Sequence, residues 1–172
     1  TNLGSAYTLS AWLKPDGIIE GNAAVIFVGY HNPEKWVGIA GQDSTQKCKI
    51  WMNDKSGSTN YSYKTVHSVN FPKNQWTMVT LSQEGENLDI YVNGNLVKSD
   101  TAVPAMKGAN QSIWLATNNW DSSFKGAIDD VKVYNKKLTA DQVKAVYVKD
   151  ATLQMMNALG ENAGVDHITT DL

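Results

Sequence analysis

Residues 76–99 read WTMVTLSQEGENLDIYVNGNLVKS, and this stretch decides the fold. Two short runs rich in Thr, Val, Ile, Leu and Tyr, Thr77 to Leu81 and Leu88 to Val92, have the length and composition of strands rather than helices. Glu84, Gly85, Glu86 and Asn87 separate them. Asn93, Gly94 and Asn95 then supply side chains that tolerate positive φ, as a tight hairpin requires. Three consecutive strands from Trp76 to Ser99 therefore form a meander.

The same grammar recurs outward from this meander. Alternating apolar runs bounded by turn signals occur at Thr8 to Leu13, Val25 to Tyr30, Trp36 to Ala40, Lys49 to Met52, Ile113 to Ala116 and Ala127 to Tyr134. Many short strands joined by such turns predict an all-β chain, a two-sheet antiparallel sandwich or jelly roll, with a short C-terminal helix. That helix begins near Thr139, where Thr139 and Gln142 have capping-box spacing and Leu138, Val143, Val146 and Tyr147 form an apolar stripe. From Asp150 a second short helix is expected through Met155 and Leu159, stopped by Gly160, before a polar end with a strand-like run at His167 to Thr170. The organisation read from this is a sandwich over residues 1–149 and a tail over 150–172 leading towards a further domain. The abrupt start at Thr1 also reads as a piece of a longer chain.

Composition narrows the function classes. A chain of 172 residues is long enough for one well-buried core, and 42% hydrophobic with 19% charged residues is the balance of a globular domain. No apolar run approaches the roughly 20 residues of a membrane span. All fifteen basic residues are lysines and the net charge is −2, which argues against a phosphate-tracking, nucleic-acid-binding surface. Cys48 is alone, so it reads as a small core residue, and the three scattered histidines lack zinc-ligand spacing. A monomer is expected.

Four segments carry a resemblance to a known family. They are residues 7–15 (YTLSAWLKP), 74–81 (NQWTMVTL), 88–94 (LDIYVNG) and 124–134 (FKGAIDDVKVY), the last followed by LTADQV at 138–143. In order and spacing these resemble the laminin-G-like jelly roll of the concanavalin A-like lectin and glucanase superfamily, over about Tyr7 to Tyr147. The resemblance implies two facing antiparallel sheets, often a structural calcium ion, and carbohydrate binding beside a catalytic domain in a secreted bacterial protein. It also implies an opening strand paired with residues 128–134, for which little chain precedes Tyr7; the tail after Asp150 is the alternative partner. For calcium, the resemblance points to Asp129 and Asp130, which serve equally well as hydrogen-bonding residues of a strand end.

Related jelly-roll glucanases carry their acids as Glu-x-Asp-x-x-Glu on one strand, so that alternation points them into one cleft. This chain has no such triplet. Glu84, Glu86 and Asp89 straddle the Gly85 turn, and Asp129 and Asp130, as neighbours on a strand, are expected on opposite faces. With no local nucleophile–base set or phosphate loop, the chain is read as not an enzyme.

A sugar site needs a flat aromatic platform and short amide or carboxylate side chains around it. Alternation puts Val37, Ile39, Ile50 and Met52 on one face and Trp36, Gly38, Lys49, Trp51 and Asn53 on the other. If the aliphatic set faces the core, Trp36 and Trp51 face outward on a concave sheet; Ile113 and Leu115 as core residues turn Trp114 the same way. Trp120 lies in the polar loop at 118–123, flanked by Asn119 and Asp121, and is the leading candidate. Trp36, Trp51 and Trp114 stand equally as core or platform residues, whereas Trp12 and Trp76 are assigned to the core. Tyr30 and His31 end a strand at the same expected edge, as hydroxyl partners or as a solvated turn. Polysaccharide or oligosaccharide binding through one such platform is expected at micromolar to millimolar strength, on the order of −4 to −8 kcal/mol, and suits a module working by multivalency. The rival reading is a structural or adhesion spacer whose tryptophans pack on neighbouring domains.

Overall fold

The structure is a computed structural model that describes residues 3–16, 23–30, 35–41, 47–54, 64–101, 103–106, 111–118 and 120–163. Within these, the strands are β1 (Ala6–Pro15), β2 (Ala23–Tyr30), β3 (Lys35–Gly41), β4 (Lys47–Asp54), β5 (Lys64–Asn70), β6 (Thr77–Glu84), β7 (Asn87–Val92), β8 (Asn95–Asp100), β9 (Ser112–Leu115), β10 (Ser122–Ser123) and β11 (Gly126–Tyr134). One helix follows, α1 (Ala140–Ala163). A five-stranded sheet has the order β11-β1-β6-β7-β8, and the second sheet runs β10-β2-β3-β4-β5 with β9 also on β2. The two sheets face each other as an antiparallel jelly-roll sandwich, as the strand grammar predicts.

The meander is built as its turns dictate. Asn93 and Gly94 both have positive φ, 49° and 74°, which matches the right-handed twist of the flanking strands. Alternation then sends Leu9, Leu13, Leu81 and Ile90 of one sheet against Val28, Val37, Ile39 and Ile50 of the other, forming the main core. Cys48 lies in that core, and burial pushes its thiol up to about 12, so it is no thiolate nucleophile.

The outer face of the five-stranded sheet is closed by α1. Thr139 and Gln142 exchange the reciprocal capping-box bonds, at 3.0 and 3.3 Å. Val143 and Leu138 pack on Tyr91, and Tyr147 stacks on Trp12 at 5.6 Å. Beneath them, buried hydroxyl pairs Thr8–Ser82 and Ser10–Thr80, each 2.9 Å, satisfy one another, and Thr8 also bonds backbone at Lys136 and Leu138.

Three expectations are corrected. A single helix replaces the two expected around Asp150, because Asp150 is buried in mid-helix and its carboxylate takes a 2.7 Å bond from Lys132 of β11 rather than capping a new segment. The tail thus stays helical to Ala163 and is no strand partner for β11 over those residues. Trp76 is only half-buried, with the Lys14 ammonium 5.3 Å above its ring.

Candidate functional site

The outer face of the six-stranded sheet gathers the aromatic residues. Phe27 and Trp36 form a buried cluster with Ala24 and Ala40, and Trp51 and Trp114 pack half-buried against it. The small residues are what allow this packing. A Cβ on Gly38 would fall 2.5 Å from the Phe27 ring, so glycine lets that ring lie flat across β3. Trp36 meets Phe27 edge-on at 5.0 Å and Trp51 edge-on at 5.1 Å, both favourable quadrupole geometries.

Trp120 caps this cluster from the loop between β9 and β10, its ring stacked on Trp36 at 6.5 Å and 30°. It is 45% exposed, while Trp36 beneath it is 1% exposed. The structure therefore places Trp36 on the expected face but corrects its exposure: it is the foundation of the platform and does not face solvent. Leu115 is likewise corrected, since it ends a four-residue strand and is 44% exposed; Ile113 alone of that pair packs on the main core, with Ala116 beyond it. Trp114 does pack with the outward cluster.

Polar groups stand close to the rings. Lys49, 8% exposed, holds its ammonium 3.8 Å from the Trp51 ring centre. Burial pulls this ammonium below the usual lysine range, and the nearby Asp121 carboxylate works against that shift. Asn53 pairs across β3 and β4 with Trp36 and is 0% exposed. Neither its Oδ1 nor its Nδ2 has a hydrogen-bond partner among the described residues. Asp121 accepts a 2.7 Å bond from Asn118 Nδ2. Tyr30 does not join this group: it packs against the inter-sheet core, and its hydroxyl accepts a bond from Gln111 Nε2 at 3.1 Å. His31 and Asn119 lie outside the described residues. Sequence reasoning passed over Phe27, whose signal was the glycine opposite it, and Asn118, whose only signal was its turn chemistry.

Asp129 and Asp130 sit elsewhere, at a bulge in β11 where the register against β1 shifts and Asp130 adopts φ 47°. Plain alternation therefore does not govern these two side chains. Asp129 Oδ1 accepts the Asp130 backbone N–H at 2.8 Å, and the Lys132 ammonium lies 3.6 Å from Asp130 Oδ1. Calcium takes six to eight oxygen ligands. Among the described residues no three His, Cys, Asp or Glu side chains gather to hold a metal, so these two aspartates do not fit a calcium site by themselves. Glu84 and Glu86 are exposed on either side of the Gly85 turn, and Asp89 is held by Ser99 and Lys137.

The family model described as the concanavalin A-like lectin/glucanases superfamily matches residues 1–144. Domain 4 of AbnA, a GH43 extracellular arabinanase from Geobacillus stearothermophilus solved with arabinotriose, aligns with a TM-score of 0.66 and 29% identity, covering 83% of this chain and 66% of that one. A heptameric SAP-like pentraxin from Limulus polyphemus aligns with a TM-score of 0.62 at 15% identity, over 84% of this chain and 70% of that one. The adhesion G-protein coupled receptor V1 of Danio rerio is 23% identical over 161 residues, which are 90% of this chain but 2% of the receptor's length.

Proposed function

The chain belongs to the concanavalin A-like lectin/glucanases superfamily, and from that premise we propose that it is a non-catalytic carbohydrate-binding module of an extracellular, multidomain glycan-degrading protein. Trp120 carries the proposal. An indole almost half open to water, seated on buried Trp36 beside half-buried Trp51 and Trp114, is a flat apolar surface on which the C–H face of a sugar ring stacks. Asp121, half-buried on the Trp120 loop, supplies a hydroxyl partner beside it. Support for the ligand class and for secretion comes from the likeness to a domain of an extracellular arabinanase that was solved with arabinotriose.

The test is affinity electrophoresis of the isolated chain in gels containing arabinan and a panel of other plant and host polysaccharides. Retardation that Trp120→Ala abolishes is the expected result. Retardation untouched by that substitution, or none on any gel, overturns the proposal. The second reading, a spacer or adhesion domain, is favoured by the exposed Val148, Leu153 and Met155 of α1 and Val131 and Val133 of β11. It gains if glycans fail and those residues become protected from hydrogen exchange in the longer parent chain.

A further inference from the structure

We propose that Asn118 is the positioning residue of the aromatic platform, its carboxamide setting the pose of Trp120 and holding the Asp121 carboxylate. The inference rests on the glycan-binding reading for its purpose, and on geometry for its content. The base of the loop is pinned by backbone bonds: Ala116 N–H donates to Val25 at 2.8 Å, and Phe124 N–H to Ala116 at 3.0 Å. The tip is organised by Asn118. Its Oδ1 accepts the backbone N–H of Trp120 at 2.9 Å and of Asp121 at 2.7 Å, while its Nδ2 donates to Asp121 Oδ2 at 2.7 Å.

One side chain thus fixes the backbone on which Trp120 rides and the carboxylate of the next residue. The ring itself has nearly half its surface in water, and the backbone turn on which it rides sets where it stacks on Trp36. Asp121 in turn favours the charged form of Lys49, the ammonium lying over Trp51 on β4.

Asparagine is required because the site needs two acceptor bonds and one donor from a single short side chain. Asn118→Ala removes all three. Asn118→Asp keeps the acceptor and sets two carboxylates against each other, and Asn118→Asp combined with Asp121→Asn restores a donor–acceptor pair with its direction reversed. The chain is labelled with 5-fluorotryptophan, the Trp120 fluorine signal being identified by its loss in Trp120→Phe, and each variant is also titrated with arabinotriose. Both single substitutions are expected to displace the Trp120 signal and weaken arabinotriose binding roughly two- to tenfold, the worth of one aromatic contact. The double substitution is expected to return the Trp120 signal. A Trp120 signal unmoved in Asn118→Ala, or still displaced in the double variant, overturns the inference. If the wild-type chain does not bind arabinotriose, the arabinan form of the glycan reading fails, and the fluorine signal still decides the role of Asn118.

Discussion

The indole of Trp120 lies 6.5 Å from that of Trp36 at an interplanar angle of 30°, so an open ring rests on a closed one. The two rings should respond oppositely to deletion. Trp120→Ala removes the contact surface and costs at most about 1.5 kcal/mol of stability, the scale of one aromatic pair. Trp36→Ala leaves a cavity beneath Phe27 and Trp51 and costs about 3–5 kcal/mol. Urea denaturation of both variants, paired with gel retardation, checks this; equal stability losses would count against it.

Charge at the platform is balanced. Beside Trp51 the Lys49 ammonium is favoured in its charged form by the nearby Asp121 carboxylate. A glycan carboxylate would have to compete with a carboxylate already there for this cation. Neutral arabino-oligosaccharides should therefore bind more tightly than galacturonate oligomers of equal length. Calorimetric titration of both series decides it, and a preference for the acidic series would refute the prediction.

Asp89 should give stability an acid-side dependence. Burial raises its carboxyl, but bonds from Lys137 and Ser99 and the Lys137 charge outweigh burial and hold it below the usual carboxylate range. The folded state then binds fewer protons than the unfolded chain, so the stabilisation is present above the ordinary aspartate value and is lost as pH falls through the folded one. The stability difference between wild type and Asp89→Asn should shrink on moving from about pH 6 to about pH 2.5. Denaturation midpoints across that range measure it, and a constant difference would sink the assignment.

Gly94 and Gly85 offer a matched pair. Both have positive φ, 74° and 57°, but a Cβ at Gly94 would meet Tyr147 Cβ at 2.9 Å, whereas Gly85 has nothing within 4 Å. Gly85→Ala should cost about 1 kcal/mol from backbone strain alone, and Gly94→Ala about 1–3 kcal/mol, because α1 must also shift. Thermal denaturation compares them; equal losses would mean that Tyr147 does not press on the turn.

Much of this molecule was legible before any coordinates. The meander, its Asn93–Gly94 turn, the capping box at Thr139 and the outward set Trp36, Trp51 and Trp114 follow from alternation and turn chemistry, which act between near neighbours in the chain. Three things were not. Asp150 reads locally as a helix cap, yet a long-range bond to Lys132 keeps it inside one helix. Tyr30 ends its strand at the right edge, but its parity with Val28 turns it to the inter-sheet core. Strand period also cannot say that Trp36 would be covered, since the cover comes from a loop more than eighty residues away.

Period-two alternation and turn chemistry by themselves determined an all-β sandwich with indoles on one outer face, because both are local properties of the backbone. Only tertiary structure decided which indole is foundation and which is surface. That depends on where the loop held by Asn118 folds back, through bonds between residues that no local pattern pairs with β3 and β4.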